Sequence, residues 1–144
     1  VLFAWVLGYG DRMLRGLVLD HAGVLTDPEA GPLLRAVDRA RAGGVRAAVL
    51  SNAAGGGDVR ARLSGRFDTL VFSGEVGAAK PDPEIYHLTA RRLGLTAAEC
   101  VLVDDSPRYV AGAVAAGMVG VRHVSVAQTL TELAALFPEE PAFC

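Results

Sequence analysis

The sequence predicts an α/β domain of three layers, a central parallel β-sheet flanked by helices, and three observations carry that prediction. From Arg15 onward, short apolar runs alternate with segments whose apolar residues recur at helical spacing. Glycine, proline and asparagine punctuate the junctions, so each connection is brief, as strand–helix–strand units require. The apolar runs also lack the in–out alternation of a half-solvated sheet, which is the pattern of strands buried on both faces.

The elements follow in order. The first strand covers about 15–20, and Asp20 stands at its C-terminal end before a turn at Gly23. The turn-rich Asp27–Pro32 leads into a helix over 32–42, with Leu33, Ala36, Val37 and Ala40 as its inner stripe and Arg35, Asp38, Arg39 and Arg41 outside. Gly43-Gly44 ends it. Arg46–Leu50 is the second strand and closes at Ser51-Asn52; a Gly55-Gly56-Gly57 connection precedes a helix over 58–64. The third strand is 68–72. Asp82-Pro83-Glu84 then supplies an N-cap, a first-turn proline and an acidic first turn for a helix ending at Gly94. Thr96 and Glu99 read as a capping box. Cys100–Val103 is the fourth strand and ends at Asp104-Asp105. Ser106-Pro107 opens a helix that stops near Gly117, 119–123 is the fifth strand, and Ser125–Gln128 caps a last helix bearing Leu130, Leu133 and Phe137.

The domain organisation expected is one core over 13–137, with 138–144 as a frayed C-terminal tail. Residues 1–12 read as an N-terminal extension without fixed structure, upstream of a core that starts near Met13; a packed N-terminal strand is the alternative. These residues lack the basic start and small-residue cleavage site of a signal peptide.

Composition narrows the function classes. The chain has 144 residues, 51% of them hydrophobic, enough for one buried core. No apolar run approaches the roughly 20 residues of a membrane span. A net charge of −2 gives no reason to expect a nucleic-acid partner. Cys100 and Cys144 are isolated thiols that fit a reduced, cytoplasmic protein. Of 14 basic residues Lys80 alone is lysine, which suggests that a compact ammonium is wanted there.

The polar residues of interest fall where apolar strands stop: Asp20, Ser51-Asn52 and Asp104-Asp105, with Lys80 in the loop after the third strand. Parallel strands bring those ends to one edge. Three aspartates there form a hard oxygen cluster suited to Mg²⁺. Ser51 and the backbone N–H groups after it can hold phosphate oxygens, and Lys80 can offset the charge of a nucleophile and of a transferred phosphoryl group.

Four segments carry a resemblance: LVLDHAGVLTD, AAVLSN, GAAKPDPEIY and CVLVDDSPRYVAGAVAAGM resemble, in order, the four motifs of the haloacid-dehalogenase superfamily of hydrolases, across about residues 14–137. The resemblance implies a Rossmannoid fold, an aspartyl-phosphate intermediate and a Mg²⁺ cofactor. It implies Asp20 as nucleophile and metal ligand, with Lys80 stabilising charge and Ser51, Asn52 and Lys80 binding phosphate. The Ala22 backbone carbonyl, Asp104 and Asp105 are the further implied metal ligands, Asp105 the more direct of the two aspartates.

Two positions depart from that pattern. Family phosphatases carry an acid/base Asp where this chain has Ala22, and relatives with paired aspartates often carry Asn where it has Tyr109. General acid–base help is worth roughly 10²–10⁴ in rate, so slow turnover or good leaving groups are expected. His21 is expected to point to the opposite face by strand alternation, His87 to lie on the surface, and His123 to be a satisfied loop histidine. Asp20 and Ser51 lie only 31 positions apart, too few for a cap domain, and no lysine lies between them. That excludes an imine-forming mechanism of the phosphonoacetaldehyde hydrolase kind. The site is therefore expected to be open, to take a phosphorylated small molecule or macromolecule, and to have a second copy of the chain as one candidate cover. A Mg²⁺-dependent phosphatase is the leading expectation; a catalytically silent fold that binds a phosphorylated ligand or a protein partner is the alternative.

Overall fold

A computed structural model describes residues 13–144; the extension expected over 1–12 lies outside the described residues. Five strands form one parallel sheet: β1 Gly16–Leu19, β2 Arg46–Ser51, β3 Thr69–Phe72, β4 Cys100–Asp104 and β5 Val119–Arg122, in the order β3-β2-β1-β4-β5. The helices are α1 Gly31–Ala42, α2 Gly57–Leu63, α3 Ser73–Val76, α4 Pro83–Arg92, α5 Pro107–Ala115 and α6 Val126–Leu136. The short α3 is an element that the sequence pattern did not reveal.

The sheet is built outward from β1, first to β2 and β3, then across to β4 and β5. The reversal falls between β1 and β4, and in open α/β sheets the crevice at such a switch point is where ligands bind. Leu19 pairs with both Val49 and Val103. By the same register Asp20 and Asp104 end level, with Ser51 one residue further along β2.

Alternation along the strands sorts the core into two layers. Leu17, Leu19, Val49, Val103, Leu33, Val37 and Leu133 pack on one side, where α1 and α6 lie. Val18, Leu50, Leu102, Ile85, Tyr86 and Ala113 pack on the other, where α4 and α5 lie. The α1 residues predicted to face inward, Leu33, Ala36, Val37 and Ala40, are all buried.

The frayed tail expected over 138–144 is corrected. Pro141–Phe143 forms a helical turn whose first N–H is held by Glu140, and Ala142 and Phe143 are buried. The Phe143 ring meets Phe137 at 5.4 Å between centroids. Burial of a phenylalanine stabilises by about 1.5–3 kcal/mol, which opposes fraying of the segment. A second correction concerns Asp82: it precedes α4, but its side chain makes no capping bond. Ser106, Ser125 and the Thr96–Glu99 box do cap as expected.

Candidate active site

Asp20 leaves β1 in extended conformation, and its backbone N–H donates to the Val103 carbonyl at 3.0 Å. The chain then turns through His21–Leu25, which is possible because Gly23 adopts φ +85°. A side chain at 23 would also collide with Asp105: a Cβ there would lie 2.2 Å from Asp105 Oδ2. Gly23 thus lets the turn close against the neighbouring carboxylate.

Lys80 is the hub. Its Nζ donates to Asp20 Oδ1 at 3.0 Å, to Asp104 Oδ2 at 2.7 Å and to the Leu50 carbonyl at 3.1 Å. One ammonium therefore joins the ends of β1, β2 and β4 with all three of its N–H groups. The Lys80 side chain is 1% exposed, that of Asp104 0% and that of Asp20 9%. Burial raises the pKa of Asp20, against the pull of Lys80. Burial likewise pushes Asp104 up to about 6, again opposed by Lys80. Such a cluster is stable only because each buried charge has an opposite neighbour within hydrogen-bond distance.

Asp104 is held at both oxygens, since its Oδ1 also accepts from the Ser106 N–H at 3.0 Å. Asp105, next in sequence, is exposed. Asp20, Asp104 and Asp105 each bring an oxygen atom within 4.8 Å of the others. This all-carboxylate donor set is the chemistry that suits Mg²⁺. Ser51 is buried at the end of β2, one residue past the carbonyl that holds Lys80.

Asn52, which follows Ser51, holds the Lys80 backbone through its side chain. Its Nδ2 donates to the Lys80 carbonyl at 3.0 Å, and the Lys80 N–H donates to its Oδ1 at 2.9 Å. Both ends of the amide fix the lysine's backbone.

Ala22 is exposed, two residues after Asp20. The expectation that strand alternation governs His21 is corrected, because β1 ends at Leu19 and the turn begins at His21. His21 is half-buried, and desolvation together with nearby Arg62 lowers its pKa. His87 is on the surface as expected. His123 is a satisfied histidine: Nε2 lies 2.9 Å from Asp27 Oδ2 and Nδ1 lies 2.7 Å from Thr129 Oγ1. Asp27 also accepts from the Glu29 N–H at 2.9 Å, and this bond, then His123, lowers its pKa. The pairing ties the loop after Asp20 to the end of β5, a contact across 96 positions that no local pattern announces.

Tyr109 sets its half-buried ring beside Lys80, with Nζ 5.0 Å from the ring centroid. Its carbonyl accepts from the Tyr86 hydroxyl at 2.7 Å.

Comparison with known proteins agrees with this geometry. The family model of haloacid dehalogenase-like hydrolases matches residues 11–117. Phosphatase MT3486 of Mycobacterium tuberculosis is 36% identical over 96 residues, which cover 63% of this chain and 43% of that protein. Glyceraldehyde 3-phosphate phosphatase of Methanopyrus kandleri is 46% identical over 57 residues, 39% of this chain and 24% of that one. The match thus spans less than half the length of these relatives. A crystal structure of an uncharacterised protein from Corynebacterium glutamicum superposes with a TM-score of 0.79 at 35% identity, covering 87% of this chain and 96% of that one. No separate cap interrupts the described residues, and no helix among them is long and apolar enough to cross a membrane. With four motif segments at the switch point of a parallel sheet and a family match over most of the chain, this protein belongs to the haloacid dehalogenase-like hydrolases.

Proposed function

We propose that this hydrolase is a Mg²⁺-dependent phosphatase that uses Asp20 as nucleophile and turns over slowly because Ala22 offers no proton. The observation that carries the reading is the Lys80 ammonium, buried and shared between Asp20 at 3.0 Å and Asp104 at 2.7 Å, beside the free carboxylate of Asp105. A purely structural ion pair needs no third, exposed carboxylate. Phosphatase names among the relatives support the same reaction class.

In this reading a carboxylate oxygen of Asp20 attacks phosphorus in line while the ester P–O bond breaks. The leaving group departs with the bond's electron pair. Lys80 holds Asp20 oriented and offsets charge on the phosphoryl oxygens, and Ser51 together with backbone N–H groups after β2 binds those oxygens. Mg²⁺ held by Asp20, Asp104, Asp105 and the Ala22 carbonyl would supply charge neutralisation for the phosphoryl group. Water then attacks phosphorus, releasing phosphate and restoring Asp20. An alkoxide leaving group needs a proton that Ala22 cannot give, so aryl and acyl phosphates are the favoured class. The open, capless edge admits phosphorylated small molecules or a phosphorylated macromolecule, and a second copy of the chain could cover it.

The test is Mg²⁺-dependent hydrolysis of a phosphate-ester panel by the full chain, Asp20→Asn and Ala22→Asp. Activity should vanish in Asp20→Asn, and Ala22→Asp should gain at least about tenfold on alkyl esters. Equal turnover by wild type and Asp20→Asn would sink the mechanism. Absence of turnover in wild type and Ala22→Asp, with retained binding of a phosphorylated ligand, would favour the silent reading.

A further inference from the structure

The packing of Tyr109 is too specific for a filler. The buried Tyr86 hydroxyl donates to the Tyr109 carbonyl at 2.7 Å, and the Tyr109 N–H donates to Ser106 Oγ at 3.3 Å. The residue is therefore held at both its backbone N–H and its carbonyl. Gly112, one turn further along α5, brings the helix onto the Lys80-Pro81 loop: a Cβ there would lie 2.6 Å from Pro81 Cβ and 2.8 Å from the Tyr86 hydroxyl. Helix, loop and Tyr86 together set the aromatic ring beside the ammonium at 5.0 Å.

We propose that Tyr109 is a positioning residue for Lys80, holding the ammonium through the face of its ring. The chemistry differs from that of a polar partner. All three Lys80 N–H groups already have oxygen acceptors: Asp20, Asp104 and the Leu50 carbonyl. An asparagine oxygen would have to compete for one of them. A ring face attracts the positive charge as a whole and accepts no particular N–H. The ammonium can accordingly turn one N–H from the neutral Leu50 carbonyl toward a phosphoryl oxygen without losing the ring's attraction. The site thereby keeps its lysine in place before and after substrate arrives.

The kinetic consequence rests on the phosphatase reading, while the contact itself does not, and the experiment separates them. Lys80 is the only lysine, so lysine-selective ¹³C labelling of the full chain gives a single side-chain ε-methylene signal. The Tyr109 ring current should displace that signal in the wild type and in Tyr109→Phe, and the displacement should disappear in Tyr109→Leu. With p-nitrophenyl phosphate and Mg²⁺, Tyr109→Leu should lower kcat/KM by roughly 2–30-fold, the factor that a cation–π contact of this kind represents. Tyr109→Phe should recover most of that loss. An ε-methylene signal that is the same in wild type and Tyr109→Leu overturns the proposal, as does a Phe variant as impaired as the Leu variant. A wild type with no hydrolysis, yet with the displaced signal, removes the phosphatase reading and leaves the positioning contact standing.

Discussion

Asn52 clamps the backbone of Lys80 from both sides, donating to its carbonyl at 3.0 Å and accepting its N–H at 2.9 Å. The residue after β2 thus determines where the loop after β3 presents its ammonium.

The first prediction follows from that clamp. Asn52→Ala deletes two hydrogen bonds worth about 1 kcal/mol each, and a displaced catalytic group loses rate steeply. Phosphatase kcat/KM should fall at least about tenfold, whereas Asn52→Asp, which keeps only the acceptor, should lose less at the same Mg²⁺ concentration. Steady-state kinetics on an aryl phosphate checks this. A side chain that merely bound phosphate would instead raise the inhibition constant of inorganic phosphate in both variants alike.

Removing the hub has a pH-dependent cost. Lys80→Met leaves Asp20 and Asp104 buried and facing one another without their cation, a change that costs about 3–5 kcal/mol. Both carboxyl pKa values are already raised by burial and should rise further. A carboxyl with a raised folded-state pKa favours folding below its unfolded value and loses that favour as pH climbs through the folded one. The stability deficit of Lys80→Met should therefore be large at pH 7.5 and shrink toward pH 4–5, as urea denaturation in a chelator would show. A deficit independent of pH would mean that packing, not charge, is what was lost.

Gly23 and Asp105 form a second steric pair. Gly23→Ala puts a methyl group 2.2 Å from Asp105 Oδ2 and places an L side chain at φ +85°. A strained left-handed residue costs about 1–3 kcal/mol, and the Asp105 carboxylate must move. The variant should melt lower and bind Mg²⁺ at least several-fold more weakly by titration calorimetry. Unchanged Mg²⁺ affinity would remove Asp105 from the ligand set.

The two thiols should differ sharply. Cys100 is buried in the sheet, and burial pushes its pKa up to about 12, so it carries almost no thiolate at neutral pH. Cys144 is exposed. A thiol reagent should modify one cysteine in the native chain and two after denaturation, with peptide mapping placing the first at Cys144. Rapid native modification of Cys100 would show that β4 opens readily.

Local patterns determined much of this protein. Apolar runs ending in Asp20, Ser51 and Asp104 gave the strands and their polar ends, because parallel strands must bury both faces and release the chain at one edge. The helical stripe of α1 and the caps of Ser106 and Ser125 were legible for the same reason: they are interactions within a few residues. Tertiary structure decided what depends on surfaces meeting across the chain. Asn52 reaches Lys80 across 28 positions and His123 reaches Asp27 across 96. The Tyr109 ring beside Lys80, and the ordering of 141–143 under Phe137, likewise arise only when separate elements pack. A sequence states which groups a residue can offer; the partner that takes them is chosen by the three-dimensional path of the backbone.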